Sequence, residues 1–404
     1  MELQMVYADE AGHIYGDSSL RALGRRGGTV KPFRGIPLPP GSDLVLLPGR
    51  PAIGLGPDGP REYGGWAVGA ILPAGYTRTL LPVYSPGGAP LPLFGYTAVG
   101  LRGDRFYVAA RPTDGQRFKW DPRFYNGSSL PRRIGRLRKK WPHNRLVEHL
   151  AHCALDYHCL TAQNIFYNRW EAGIPVSPAC NARCQGCISL QESDCCPSPQ
   201  GRISFVPRVE EICQLALNHL TRAREAIISF GQGCEGEPTL QAPLIAKAIK
   251  GIRGKTQRGT ININTNGGYY RGLREIIDSG LDSMRVSLFS ARTENYDAYH
   301  RPCGYSLADV AQSISYARER GVFVSLNLLV YPGFSDQGEE IRALVDFLRA
   351  TGVNMVQLRN LNIDPDYLES LFPCLDSSLG IGRLIKAIEG AGVQVGNYSR
   401  PVKN

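Results

Sequence analysis

Three cysteines, Cys180, Cys184 and Cys187, stand in the run Pro178-Ala-Cys-Asn-Ala-Arg-Cys-Gln-Gly-Cys187, a C-x₃-C-x₂-C spacing. Thiolates this close in sequence can reach three irons of one cubic 4Fe–4S cluster, for which thiolate is the usual protein ligand. No fourth cysteine follows at a matching distance, so the fourth iron would be open to a small chelating molecule. An open iron points to a reactive centre rather than a pure electron carrier. A zinc site would call for a fourth nearby Cys or His and more often uses paired cysteines. A disulfide framework and three unrelated buried thiols are the remaining explanations.

The elements that would position this loop are legible after Gly173. Strands are expected at 174–177, 226–230, 260–264, 283–288, 322–330 and 354–358, with amphipathic helices at 209–220, 243–252, 270–279, 307–320, 339–351 and 379–390. Strand then helix, repeated six times, requires crossover connections and therefore a parallel sheet. The expected fold class is α/β, a partial or full parallel (β/α)6 TIM-like barrel with an N-terminal β-rich module. Active residues of such folds gather at the C-terminal ends of the strands. Cys180 is expected to follow the first strand directly.

Turn-forming and polar groups recur at those ends. Gly236-Glu237-Pro238 follows strand two; glycine permits close backbone approach and proline sets the turn. Asn264 and Asn266 end strand three in Asn-Thr-Asn-Gly267, able both to donate and to accept, or simply to form an Asn-Gly turn. Ser287 lies on strand four, and Arg301 follows in Tyr-His-Arg-Pro-Cys303. A guanidinium fork suits a carboxylate, although a surface ion pair for Arg301 and a helix cap for Ser290 are equally ordinary roles. Arg359, Asn360, Asn362 and Asp364 follow strand six as candidates at the barrel mouth, or as an ordinary polar loop.

Taken in this order, the cysteine triplet, the Gly-Glu-Pro tripeptide, the Thr-Asn-Gly segment and the serine-bearing fourth strand resemble the radical S-adenosylmethionine (radical SAM) superfamily, over about residues 170–396. The resemblance implies a 4Fe–4S cluster on Cys180, Cys184 and Cys187, and S-adenosyl-L-methionine as second cofactor. It further implies that Gly236, Glu237, Pro238, Asn264, Asn266, Ser287, Arg301 and Arg359 contact that cofactor, with Ser287 as its hydroxyl partner. The chain departs from the commoner pattern in having Glu235-Gly236 where many members have two glycines. The implied activity is reductive cleavage of S-adenosylmethionine to a 5′-deoxyadenosyl radical that abstracts hydrogen. Its substrate would be a small molecule, peptide or RNA, and its reductant a protein such as ferredoxin or flavodoxin. A non-catalytic iron–sulfur or zinc-binding protein that docks nucleic acid is the alternative.

Composition bounds the rest. The 404 residues are 43% hydrophobic and 20% charged, the balance of an ordinary globular chain with room for two or three domains. No apolar run approaches the roughly 20 residues that span a bilayer. Residues 1–6 show no basic region leading into an apolar stretch, so with eleven cysteines a reducing compartment, the cytoplasm, is expected. The net charge of +10 is concentrated in Arg132–Arg145, which holds seven Lys and Arg with one tryptophan. Such a segment suits nucleic-acid backbone, or serves as a solvated linker.

The domain reading is a β-rich module over 1–112, a basic helical linker over 113–169, the barrel over 170–396 and a tail over 397–404. In the module, short strands such as 44–47, 66–72 and 106–110 are expected between turns at Pro48-Gly, Gly56-Pro-Asp-Gly and Gly87-Gly. One helix is expected over 146–162. It carries His149, His152 and Cys153, where a metal is conceivable although such histidines more often pack or hydrogen-bond. Cys195, Cys196, Cys234, Cys303 and Cys374 raise the question of an auxiliary cluster, with core or surface thiols as the default.

Overall fold

A computed structural model describes residues 2–190, 198–373 and 377–403. Seven parallel strands form the central sheet, paired in chain order: β1 (Arg169–Gly173), β2 (Arg224–Phe230), β3 (Thr260–Thr265), β4 (Ser283–Leu288), β5 (Phe323–Val330), β6 (Met355–Asn360) and β7 (Gln394–Gly396). The sheet is open, since β1 and β7 each pair on one side only. It is nevertheless curled. Arg285 on β4 reaches both Glu171 on β1, at 3.5 Å, and Gln357 on β6, at 3.1 Å, strands that are not its neighbours.

Helices cover the outer face. Three precede the sheet: α1 (Leu130–Lys140), α2 (Arg145–Leu155) and α3 (Leu160–Tyr167). The crossovers are α4 (Val209–Arg222), α5 (Ala242–Arg253), α6 (Tyr270–Asp278), α8 (Leu307–Glu319), α9 (Gly338–Thr351) and α11 (Ile381–Gly390). Two more, α7 (Thr293–His300) and α10 (Pro365–Leu371), stand at strand ends and were not foreseen. Local causes of helix starts are visible. Ser306 and Asp309 form a reciprocal capping box on α8, and Asp364 accepts from the Asp366 amide (2.8 Å) and the Tyr367 amide (3.3 Å) to start α10 behind Pro365.

The strand pattern alternates. Ile261, Ile263, Met284, Val286, Val324, Leu326, Val356 and Leu358 are buried against the helices within one core cluster. The intervening residues, Asn262, Asn264, Arg285, Ser287, Ser325, Asn327, Gln357 and Arg359, line the concave face. The interior of this half-barrel is therefore polar, unlike the packed apolar interior of a closed (β/α)8 barrel.

Three sequence expectations shift. The first strand lies at Arg169–Gly173 rather than 174–177, because the Val176 and Ser177 amides bond to the Glu235 carboxylate (2.7 and 3.1 Å) instead of a neighbouring strand. The helix expected over 146–162 is two, α2 and α3, separated by a turn with His158 at φ 51°. Segment 113–169 contributes Leu130, Ile134, Leu146, Val147 and Leu150 to the same core as the strands, so it packs as part of the sheet's outer layer.

The first 112 residues form a nine-stranded antiparallel sheet and a separate two-stranded ribbon. Its strands are longer than expected: Asp43–Gly56 and Gly59–Ile71 make a hairpin around Pro57-Asp58. Pro48-Gly49 is not a chain reversal. It sits at a register shift inside the first strand of that hairpin, where a bulge accommodates a residue without a donor and Gly49 at φ 73°.

Candidate active site

The cysteine loop is clamped from two sides. On one side, the Arg183 amide donates to His300 O (3.1 Å), the Gln185 amide to Tyr299 O (3.0 Å) and the Cys303 amide to Asn181 O (2.8 Å). These bonds tie the loop to the end of α7. On the other side, the Gly236 amide donates to Ser177 O (2.7 Å) and the Glu237 amide to Ala179 O (2.8 Å). A Cβ at Gly236 would lie 2.0 Å from Ala179 O, so only glycine lets the two loops meet.

All three thiols are partly buried, and two receive donors. Phe289 N–H donates to His300 Nε2 at 3.2 Å, which leaves the proton of this neutral ring on Nδ1. His300 Nδ1 lies 3.4 Å from Cys184 Sγ and donates to it. Burial keeps His300 neutral by pulling its pKa down to about 3. Arg202 Nη2 points at Cys187 Sγ from 3.8 Å and shares Ser189 Oγ with it. Burial pushes the Cys180 thiol up to about 11 and the Cys184 thiol higher still. Thiols so raised ionise when an electropositive ligand takes the sulfur. Three sulfurs converging from one loop, two of them facing N–H donors, fit an iron–sulfur cluster, whose sulfurs are tuned by such bonds.

Glu237 is buried, and its carboxylate is heavily subscribed. Oε1 accepts from the Thr239 amide (3.1 Å), Thr239 Oγ1 (2.7 Å) and Thr265 Oγ1 (2.6 Å), and Oε2 accepts from the Asn266 amide at 2.8 Å. It locks the end of β3 to the turn begun by Pro238. Asn266 Nδ2 then donates to Asn181 Oδ1 at 2.7 Å, beside Cys180. Asn264 bonds Gly231 O at 2.9 Å through its amide nitrogen. Gly231, at φ 77°, makes the tight exit from β2; a Cβ there would collide with Asn264 O.

Gly236, Glu237, Pro238, Asn264 and Asn266 thus gather beside the cysteine loop. Ser287 and Arg359 sit one layer deeper, half-buried on the concave face. Arg359 Nε donates to Asn327 Oδ1 at 3.2 Å, and burial draws its pKa down to about 10. Arg301 takes another position: it caps α7 at φ 45°, is exposed, and supports the loop through its carbonyl, which accepts from the Arg183 amide. Of the residues expected at the mouth after β6, Asn360 and Asp364 are engaged elsewhere. Asn360 bonds the Arg78 amide (2.9 Å) and Tyr76 O (3.0 Å), and Asp364 accepts from Arg50 Nη2 at 3.0 Å. They dock the N-terminal module onto the barrel.

Sequence reasoning missed several residues. Glu235, noted only as a departure from a glycine, is buried and accepts from four backbone amides: Val176, Ser177, Gly231 and Gln232. Burial lifts its carboxyl to about 7 against the pull of those donors. Glu171 bonds Ser229 Oγ at 2.7 Å and faces Arg285. Burial would raise its pKa, but Arg285 and Ser229 more than offset that and hold it below the usual carboxylate range. The alternation Thr-Ile-Asn-Ile-Asn-Thr265 was the available signal for this polar interior. His300 was quoted in sequence but given no role.

Around the site, Phe289 stacks on Tyr299 (4.3 Å, 19°) and Phe334 (4.5 Å, 9°), and Cys184 packs against this aromatic cluster. Leu81 of the N-terminal module belongs to the same cluster, so the module helps exclude water there. In the basic segment, Arg138 pairs with Glu148, Arg145 with Glu211, and Lys140 bonds Asn218, while Arg132, Arg136 and Lys139 are exposed. Cys303 is exposed; Cys195, Cys196 and Cys374 lie outside the described residues. Among the described residues no helix is long and apolar enough to cross a membrane.

Residues 174–348 match the Radical SAM superfamily. The chain carries a radical SAM domain over that stretch. No curated protein matches the chain. Similar solved structures include SuiB of Streptococcus suis bound to S-adenosylmethionine, at 13% identity and TM-score 0.39, covering 63% of this chain and 52% of that one. A radical SAM methyltransferase from Sphaerobacter thermophilus is similar at 15% identity and TM-score 0.42, covering 56% and 65%. The chain spans about half the length of SuiB.

Proposed function

We propose that the protein is a radical SAM enzyme in which Cys180, Cys184 and Cys187 hold a 4Fe–4S cluster and S-adenosylmethionine lies between that loop and the polar concave face. The observation that carries this reading is the loop itself: three thiols on one hydrogen-bonded turn, two facing N–H donors, opening onto a curled parallel sheet with a polar interior. When bound, the two cofactors supply one-electron cleavage to a 5′-deoxyadenosyl radical that takes hydrogen from a substrate.

The chain's own residues position and shield. Gly236 and Glu237 brace the loop through their backbone amides, and Pro238 sets the turn between Glu237 and Thr239. Asn264 and Asn266, with Ser287 and Arg359 below them, offer donors and acceptors to the amino-acid and ribose parts of the cofactor. Arg301 holds the loop from outside and presents its guanidinium at the rim. The Phe289–Tyr299–Phe334 stack keeps water from one flank, a condition a reactive radical needs.

The substrate is a small molecule, a peptide or an RNA, reached from the concave side, with exposed Arg132, Arg136 and Lys139 available to an anionic partner. A reductant such as ferredoxin or flavodoxin supplies the electron, and the reaction takes place in the cytoplasm. Residues 1–112 form the module that caps the barrel of 170–396, with 113–169 as its helical flank and 397–404 as the tail.

Anaerobically reconstituted protein with dithionite and S-adenosylmethionine should release 5′-deoxyadenosine, read by liquid chromatography. An intact cluster chromophore without that product would replace this reading with the non-catalytic iron–sulfur alternative.

A further inference from the structure

A second group of soft ligands lies away from the cysteine loop. His149 and Cys153 stand four residues apart on one face of α2. Cys234, from the loop after β2, meets them there. The imidazole nitrogen and the two sulfurs all lie within 4.8 Å of one another. His149 Nε2 and Cys153 Sγ are 3.6 Å apart. Nitrogen and sulfur ligands on one tetrahedral zinc, at about 2.0 and 2.3 Å from it, are separated by about 3.6 Å.

We propose that His149, Cys153 and Cys234 form a second metal site that takes a single zinc ion, with Cys159 as the fourth ligand.

Four features carry the assignment. Both cysteines are buried, where a thiol pair with an imidazole needs partners or a metal. The ligand atoms are too close together for a cubic cluster, whose sulfurs sit on separate irons, and suit one ion. Mixed sulfur and nitrogen donors are the zinc set. Cys159 starts α3, and its amide donates to Cys153 O at 3.0 Å.

The surrounding groups agree. Glu235 faces Cys234 but spends its oxygens on four backbone amides. His152 is excluded: its Nδ1 is bound to Asp156 at 2.6 Å on the outer face of α2. The ion would staple α2 to residues 231–237, the segment whose Gly236 and Glu237 amides brace the cysteine loop. It would be structural, with no open reactive position.

The test separates this site from the first. In the full-length chain with Cys180→Ala, Cys184→Ala and Cys187→Ala, one zinc per chain should be found by elemental analysis. Adding Cys234→Ser should abolish it while circular dichroism stays native. Cobalt in place of zinc should give a thiolate-to-metal charge-transfer band that Cys153→Ser weakens. In the wild-type chain, Cys153 and Cys234 should resist alkylation until zinc is chelated. A metal-free chain without the cobalt band overturns the proposal. So does a Cys153–Cys234 disulfide, or iron and sulfide bound by these residues.

Discussion

The two thiol groups of this protein are built in opposite ways. Cys180, Cys184 and Cys187 lie on one loop, and the fold's task is to hold that loop still from outside. Cys153 and Cys234 come from separate elements with His149 added, and the fold alone brings them together. The first arrangement leaves its sulfurs partly accessible and faced by donors from His300 and Arg202. The second has both sulfurs buried, with His149 half-buried beside them. Accessible sulfurs at strand ends suit chemistry; buried ones suit a brace. Residues 231–237 connect the two, carrying Cys234 toward α2 and Glu235, Gly236 and Glu237 toward the cysteine loop.

The sharpest way to break this contrast is to exchange the losses. Cys184→Ala should abolish 5′-deoxyadenosine release, whereas Cys234→Ser should retain product at low temperature and lose thermal stability. Equal loss of activity in both, with fold intact, would erase the distinction.

Next in size is the strap between them. Glu235→Gln puts an amide NH₂ against backbone N–H donors and should cost about 1–3 kcal/mol. Chemical denaturation reads this. A change below half a kilocalorie would mean that the loop is not held by Glu235.

Acid behaviour sharpens the buried side of the comparison. His219 Nε2–H donates to Trp170 O at 2.7 Å, and burial lowers its pKa to about 4. Between its unfolded value of about 6.5 and 4 the unfolded chain binds the extra proton, so stability falls as pH falls, by about 3 kcal/mol in all. Glu235, with a raised pKa, contributes in the opposite sense. The informative measurement is therefore the difference between wild type and His219→Gln, which should shrink steadily from pH 6.5 to 4. A constant difference would show that the ring takes up its proton in the folded state.

The smallest effect belongs to the surface. Arg138→Ala removes an exposed pair with Glu148 and should change stability by under about 0.5 kcal/mol. A larger change in thermal unfolding would mean that α1 is held by that pair rather than by Leu130 and Ile134.

Much of the first site was readable because its parts are local. A three-cysteine spacing, glycine before a glutamate and proline, and helix-length segments between apolar strands are properties of short windows. The half-barrel followed from them. The N-terminal strands were underestimated because Pro48-Gly49 reads as a turn, while a bulge lets the strand pass through it. The roles of Asn360 and Asp364 stayed open for a related reason. A polar loop after a strand signals a site or an interface equally well, and only Arg50 and Arg78 of the module show which.

Local spacing, then, decided which sulfurs share a loop and which strands run parallel, since both depend on neighbours along the chain. Three things were beyond it: that His300 Nδ1–H donates a hydrogen bond to Cys184, that Glu235 gathers four amides, and that Cys234 meets Cys153. Each depends on where a crossover returns the chain, and that is set by the packing of the whole core.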